Sequence, residues 1–194
     1  KDQSLAIWSA PAKPSSRDDE FRPLLWHGTA QKFYIARTSR DLKRIDICEV
    51  DVQAGKVKAV IEERLNTYVE IRRLGLVNGG QEMIQWSERD GWGHFYLHDA
   101  NGKVKNAITS GPWHAEDIVS IDEKNRVLYF TANGREANED PYYLHVYRVN
   151  FDGTNLRLLN PGDFDHSSSM DDNNKFIVNN FSRVNTVPQS VLLS

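Results

Sequence analysis

Four times along the chain a short apolar run is followed by a polar turn that carries an arginine. The runs are Phe33-Tyr34-Ile35-Ala36 before Arg40, Met83-Ile84-Gln85-Trp86 before Arg89, Val127-Leu128-Tyr129-Phe130 before Arg135, and Phe176-Ile177-Val178 before Arg183. The arginines stand 49, 46 and 48 residues apart. A second phase accompanies the first. Ile45 to Asp51 with Gly55, His94 to Asp99 with Gly102, and Leu144 to Asp152 with Gly153 each run into an acidic, glycine-bearing turn, with the aspartates 48 and 53 residues apart. A third pairs Asp122-Glu123-Lys124-Asn125-Arg126 with Asp171-Asp172-Asn173-Asn174-Lys175, 49 apart. A fixed period of this length means that one supersecondary unit is repeated, and that each unit buries its apolar surface against the next.

Each unit reads as about four short antiparallel strands. Asp, Asn and Gly tolerate the positive φ of hairpin turns, and a short closing strand follows each acidic turn: Val57 to Ile61, Val104 to Ile108, Leu156 to Leu159. Residues alternate with period two in His94-Phe95-Tyr96-Leu97-His98 and in Val146-Tyr147-Arg148-Val149. Helical periodicity is weak; its best candidate, Ile61 to Tyr68, is short. The expected fold is all-β, built of β-propeller blades near 21–63, 68–110, 115–161 and 166–194, the last incomplete. Residues 9–20 read as loop and Leu5 to Trp8 as a strand left over from an earlier unit. A β-sandwich with evenly spaced hairpins is the rival architecture, but sandwiches seldom repeat turn chemistry in register. A closed four-bladed ring fits the length; an open half of a larger ring fits the ends better.

Composition narrows the function. The formal net charge is −3 and no basic block stands out, which argues against a nucleic-acid partner. The single cysteine, Cys48, excludes an intrachain disulfide framework and a multi-cysteine zinc site. No apolar run approaches the roughly 18 residues a membrane-spanning helix needs. The first residue is Lys1 and no apolar signal core follows it, so the expectation is a piece of something longer.

The stretch Trp86-Ser87-Glu88-Arg89-Asp90-Gly91-Trp92-Gly93-His94-Phe95-Tyr96-Leu97 resembles the propeller of dipeptidyl-peptidase IV-like serine peptidases of the prolyl oligopeptidase family. So do Ile108-Thr109-Ser110-Gly111-Pro112-Trp113-His114 and Val127-Leu128-Tyr129-Phe130-Thr131-Ala132-Asn133-Gly134. Arg40-Asp41-Leu42-Lys43-Arg44-Ile45-Asp46-Ile47-Cys48 is similar to the preceding blade, and the match, nearest to bacterial members, runs from about residue 24 to 188. The resemblance implies about half of an eight-bladed propeller, followed in the parent protein by an α/β-hydrolase domain. It implies a parent that releases dipeptides from peptide N-termini, favouring proline or alanine second, and whose propeller gates and orients the substrate. It also implies a periplasmic or secreted location and no cofactor. The rival class is a stand-alone propeller module that binds protein or glycan partners.

Acyl transfer by such a peptidase needs a serine on a Gly-x-Ser-x-Gly elbow. None of the twelve glycines begins that pattern, so this chain alone is expected to be inactive, with no catalytic residue of its own. The family grips the substrate ammonium with adjacent glutamates in a Tyr-Glu-Glu context. Glu62-Glu63 lacks that tyrosine and reads as solvated charge at a strand end. Arg72 and Arg73, entering the second full unit, are the candidate substrate-binding residues, because an arginine fork suits a peptide carbonyl or a carboxylate. Arg40, Arg89, Arg135 and Arg183 fall at equivalent turns. They form either a positive collar on one rim or structural ties to Asp41, Asp90, Glu136 or the next blade; the structural reading is preferred, since repeated residues in repeat proteins stitch neighbours.

Other features read as structure. His94 and His98 lie about 13 Å apart by strand rise, too far to share one metal ion. Asp163, Asp165, His166, Asp171 and Asp172 lack calcium-loop spacing and read as turns and caps. Trp26, Trp86, Trp92 and Trp113 read as packing between blades, and Cys48 as a buried, inert thiol. The acidic loop Arg135 to Tyr143 is the longest insertion. The expected partners are peptide substrate, the missing blades and catalytic domain, and a second copy of this chain meeting its exposed sheet edges.

Overall fold

The computed structural model describes residues 20–26 and 31–194, with side chains from residue 31 onward. The strand expected at Leu5 to Trp8 and nearly all of the 9–20 loop lie outside the described residues, as does the side chain of Trp26. The described elements are strands, with one 3-10 turn at Asn78–Gly80 and no α-helix among them.

The strands form four sheets in chain order. The first holds β1 (Glu20–Trp26), β2 (Lys32–Thr38), β3 (Arg44–Asp51) and β4 (Lys56–Arg64). The second holds β5 (Gly75–Val77), β6 (Glu82–Ser87), β7 (His94–Asp99) and β8 (Val104–Ala107). The third holds β9 (His114–Asp122), β10 (Val127–Asn133), β11 (His145–Asn150) and β12 (Arg157–Leu158). The fourth holds β13 (Asp165–Met170), β14 (Ile177–Ser182) and β15 (Gln189–Leu193). Each strand neighbours the one before it in sequence, so every sheet is an antiparallel meander, the topology of a propeller blade.

The chain divides into two compact units. One runs to Gln85 and takes in His98–Lys105; the other holds Trp86–Leu97 and Asn106–Ser194. In the first unit the first sheet is buried on both faces. Tyr34, Ile45, Ile47, Val60 and Ile61 pack with Val69, Leu74 and Met83 on one side. Ile35, Cys48, Val50 and Val57 pack on the other. That alternation is the period-two reading of a strand. It is interrupted once in β4, where Val60 is an extra residue: Ile47 pairs with Ile61 and Cys48 with Ala59. Such a bulge bends the strand and frees its backbone groups. The Val60 carbonyl is met by Gly102 in the β7–β8 turn. A Cβ built on Gly102 would lie 1.5 Å from that oxygen, at a φ of +82°. The turn itself is tied by Asp99, whose carboxylate accepts from the Asn101 and Lys103 amides at 2.8 and 3.0 Å.

The second unit has an aromatic core. Phe130 stacks on Tyr147 with centroids 5.6 Å apart and on Trp113 at 6.2 Å, and meets the edge of Phe95 at 5.7 Å. The Trp86 indole donates to the Ala115 carbonyl at 2.7 Å. Trp92 departs from the expectation that it packs between blades: it is 47% exposed. It sits in the β6–β7 turn between Gly91 and Gly93, outside the strands. Asp165 and His166 also depart, lying in β13 rather than in a turn. Asp165, at an exposed position, accepts from the Leu144 amide at 3.1 Å, while His166 is buried. Asp171 does cap a turn, accepting from Lys175 and Phe176 amides at 2.7 Å each.

Candidate functional site

Arg40, Arg89, Arg135 and Arg183 all follow the second strand of a four-strand meander, or its counterpart β14, in their own sheets. In the second unit three of them share one local arrangement. The Arg89 guanidinium lies 4.4 Å from the Tyr96 ring centroid, its Nε donates to Ser87 Oγ at 3.0 Å, and the Tyr96 hydroxyl donates to Asp90 at 2.7 Å. Arg135 lies 5.4 Å from the Tyr147 ring and pairs with Glu136 at 2.6 Å, while the Tyr147 hydroxyl donates to that same carboxylate at 3.0 Å. Burial, then the Glu136 charge, pushes the Tyr147 phenol above its ordinary range. Arg183 lies 5.3 Å from Phe164 and pairs with Asp163 at 2.7 Å. A cation over a ring with a carboxylate beside it thus recurs at Arg89, Arg135 and Arg183. Such a triad fixes the direction of the turn and presents a rigid, partly charged surface.

In the first unit two separate sequence features come together. The segment after β4 returns past the β2–β3 turn: the Leu65 amide donates to Lys43 O at 3.1 Å and the Val69 amide to Leu42 O at 2.7 Å. Buried Val69 and Leu74 anchor both ends of the linker in the aliphatic core. Between them Arg72 Nε lies 2.9 Å from a Glu70 carboxylate oxygen, and Arg73 is exposed. A guanidinium on a clipped linker is held in place and still reaches solvent. Glu63 departs from the reading of solvated charge. It is 7% exposed and accepts from the Gln85 amide at 2.8 Å, while its neighbour Glu62 is exposed. Strand alternation turns one glutamate inward and the other outward, so the two do not form a paired grip. Nearby in the first sheet, Tyr34 donates to Glu49 at 3.2 Å, and burial together with that carboxylate pushes its phenol up to about 12. Burial raises the Cys48 thiol to about 11, which leaves it protonated and unreactive.

A repeat of buried histidines went unread in the sequence. His94 opens β7 and His145 opens β11, 51 residues apart. Nε2 of His94 lies 2.9 Å from Gly111 O, and Nδ1 of His145 lies 3.2 Å from Asn160 O. The residue after each histidine has its amide capped by a side chain exactly as far along: Phe95 by Thr109 at 3.0 Å, Val146 by Asn160 at 2.7 Å. The 51-residue spacings of His94 to His145 and Thr109 to Asn160 were the available signal; polar residues of different types hid it. These histidines lock the third strand of a blade to the segment leaving its fourth. Among the described residues no group of three His, Cys, Asp or Glu is placed to hold a metal ion.

Four meander sheets, each with an arginine-bearing turn at the same place, define a β-propeller portion, and comparison with known proteins agrees. The profile of the dipeptidyl peptidase IV (DPP IV) N-terminal region matches residues 1–188, and the chain belongs to that family. Dipeptidyl peptidase 4 of Arthroderma otae is 31% identical over 110 residues, which cover 53% of this chain and 14% of that protein. The crystal structure of Porphyromonas gingivalis dipeptidyl peptidase 4 matches 93% of this chain and 25% of its own, with a TM-score of 0.78 at 19% identity. A structure assigned as a dipeptidyl aminopeptidase IV from Bacteroides ovatus matches 90% of this chain and 27% of its own, with a TM-score of 0.74 at 21% identity. These matches cover 14%, 25% and 27% of the lengths of those proteins, so the chain spans only part of them.

Proposed function

We propose that this chain is the non-catalytic propeller portion of a dipeptidyl-peptidase IV-like serine exopeptidase. In this reading its blades, near 21–63, 68–110, 115–161 and 166–194, are half of an eight-bladed ring that gates and orients peptide substrates. The hydrolase domain that cuts them is supplied by the rest of the parent protein, which is periplasmic or secreted. The observation that carries the reading is the family match over residues 1–188, taken with a sequence that holds no Gly-x-Ser-x-Gly elbow. No helix among the described residues is long and apolar enough to cross a membrane. Arg72 and Arg73 are the proposed contacts to the peptide, and the arginine turns hold the blade loops. Among the described residues β1 and β15 are each paired on one side only, and such edges favour self-association of the isolated chain.

The test is release of nitroaniline from a Gly-Pro nitroanilide. The full-length protein is expected to turn over and residues 1–194 alone to be inactive. Replacing Arg72 and Arg73 together by alanine should raise KM more than it lowers kcat. A full-length protein with no such activity and no Gly-x-Ser-x-Gly would instead favour a stand-alone binding module. Light scattering that finds residues 1–194 strictly monomeric at high concentration would remove the self-association.

A further inference from the structure

We infer that His145 and His166 form a proton-sensitive clasp that holds the β10–β11 loop, residues 134–144, at neutral pH and releases it in acid. The pair grips the loop at its middle and at its end. Glu139, in the middle, lies 2.8 Å from Nε2 of His145. At the end, the Leu144 carbonyl accepts from the His166 amide at 3.1 Å, and the Leu144 amide donates to Asp165 at 3.1 Å. The two imidazole rings meet with centroids 4.8 Å apart. Both histidines are buried, at 3% and 5% exposure.

The hydrogen bonds set the charge. Nδ1 of His145 faces the Asn160 carbonyl at 3.2 Å and Nε2 faces the Glu139 carboxylate, and neither of these groups can donate. Each nitrogen therefore carries a hydrogen, and the ring is a cation balanced by Glu139. His166 faces uncharged oxygens, Gly162 O from Nε2 at 3.3 Å and Asn179 Oδ1 from Nδ1 at 3.1 Å. Asn179 Oδ1 also accepts from Ser168 and Asn160, at 2.8 and 3.1 Å. A proton on His166 would set a second buried cation beside the first, and both burial and a like charge oppose it. Burial, and then the charge of His145, keep His166 below the ordinary 6.5 against the opposing pull of Gly162 O, Asn179 and Asp165. Other charges around the pair are engaged. Arg183 pairs with Asp163 and lies over Phe164, whose ring meets His166. Arg135 pairs with Glu136, which also holds Tyr147, the ring beside His145. Glu116 and Asp117 of β9 follow Ala115, two strands away from His145, and β14 has no ionisable side chain.

The open form of the clasp takes the proton that the closed form refuses. The clasp is therefore fully closed above pH 6.5, and below it each unit of pH favours opening by up to about tenfold until the closed-state value is passed. Hydrogen exchange of the full-length protein, corrected for the intrinsic pH dependence of exchange, tests this. Between pH 7.5 and 5.5 the protection of residues 134–144 should fall about tenfold, and that of β3 in the first unit much less. His166→Gln, which cannot take the proton, should remove the acid-induced fall. His145→Gln should shrink it, since His166 then takes its proton beside an uncharged ring. Glu139→Gln should quicken exchange of the loop several-fold at pH 7.5 already. An acid response that persists in His166→Gln, an equal fall in β3, or loop protection that does not change with pH overturns the clasp. Should the histidine variants fail to fold, Glu139→Gln, at a partly exposed position, still decides: loop protection unchanged by it at pH 7.5 counts against the clasp.

Discussion

The first and third sheets share a topology and differ at the same node of the repeat. Three residues before its turn arginine, the first sheet places Arg37, paired across the strands with Asp46. At the matching position the third sheet places Ala132, paired across with His145. Arg37 and Asp46 are 1% and 0% exposed and meet through Nε at 3.2 Å and Nη2 at 2.5 Å. His145 is 3% exposed and turns Nε2 to Glu139 at 2.8 Å. Strand alternation puts the first node on the face of Ile35 and Cys48; the second meets the ring of Tyr147, which is itself stacked on Phe130. The repeat fixes where a buried polar node falls. It leaves the chemistry at the node to each blade.

The largest expected effect breaks the first node. Asp46→Ala removes the carboxylate that meets the buried Arg37 guanidinium, and removing one partner of a buried pair costs about 3–5 kcal/mol. Replacing both, as Arg37→Met with Asp46→Leu, should recover most of that loss, since a buried pair is often no more stabilising than apolar residues of similar volume. Chemical denaturation of the full-length protein measures both. A loss below about 1 kcal/mol for Asp46→Ala would mean that water reaches the pair.

The third sheet should break more gently. Asn160→Ala removes the oxygen that caps the Val146 amide and the amide that donates to Asn179 at 3.1 Å. Val146 is 1% exposed, so its N–H is left unpaired away from water, at a cost of about 1–3 kcal/mol. Hydrogen exchange at Val146 should quicken with the loss. Unchanged exchange would mean that the cap is not what closes the third strand.

These two nodes mark how far the sequence could be read. Turns such as Asp99 to Gly102 were legible because their chemistry is local: a carboxylate collects nearby amides and a glycine takes positive φ. Strands with alternating residues, such as β7 and β11, were legible for the same reason. The Arg37–Asp46 pair was not, because nothing in one strand says which residue of the next will face it until the register is known. The inward turn of Glu63 was missed likewise: a bulge at Val60 shifts the phase of β4 after its first half. The arginine turns were found by spacing, but the rings beneath them, Tyr96, Tyr147 and Phe164, lie on other parts of the sheet and showed only in three dimensions.

Acid sharpens the comparison further. Burial holds His94 and His166 of the second unit below the ordinary histidine value of 6.5. Their neutral forms belong to the folded state, and the unfolded chain takes up protons more readily. Stability is therefore fully present above pH 6.5 and falls as pH drops below it, until the folded-state values are passed. Substituting His94→Gln and His166→Gln together should flatten this part of the profile, at some cost in packing at pH 8. A loss below pH 6.5 that persists in the double variant would assign the effect to other groups.

The smallest effect concerns the arginine turns. Arg89→Ala removes a cation over the Tyr96 ring and a bond to Ser87, a partly exposed arrangement worth about 0.5–1 kcal/mol. Arg89→Lys keeps the charge and loses the flat guanidinium that covers the ring and reaches Ser87 at once. If the arginine ties its own blade, Lys should behave much as Ala does, and both should lower the melting temperature slightly while peptidase turnover of the full-length protein holds. If it serves as positive charge toward substrate or catalytic domain, Lys should behave as wild type and Ala should raise KM without moving the melting temperature. The ring beneath Arg89 favours the first outcome, because a charge meant for a partner gains nothing from being laid on its own sheet.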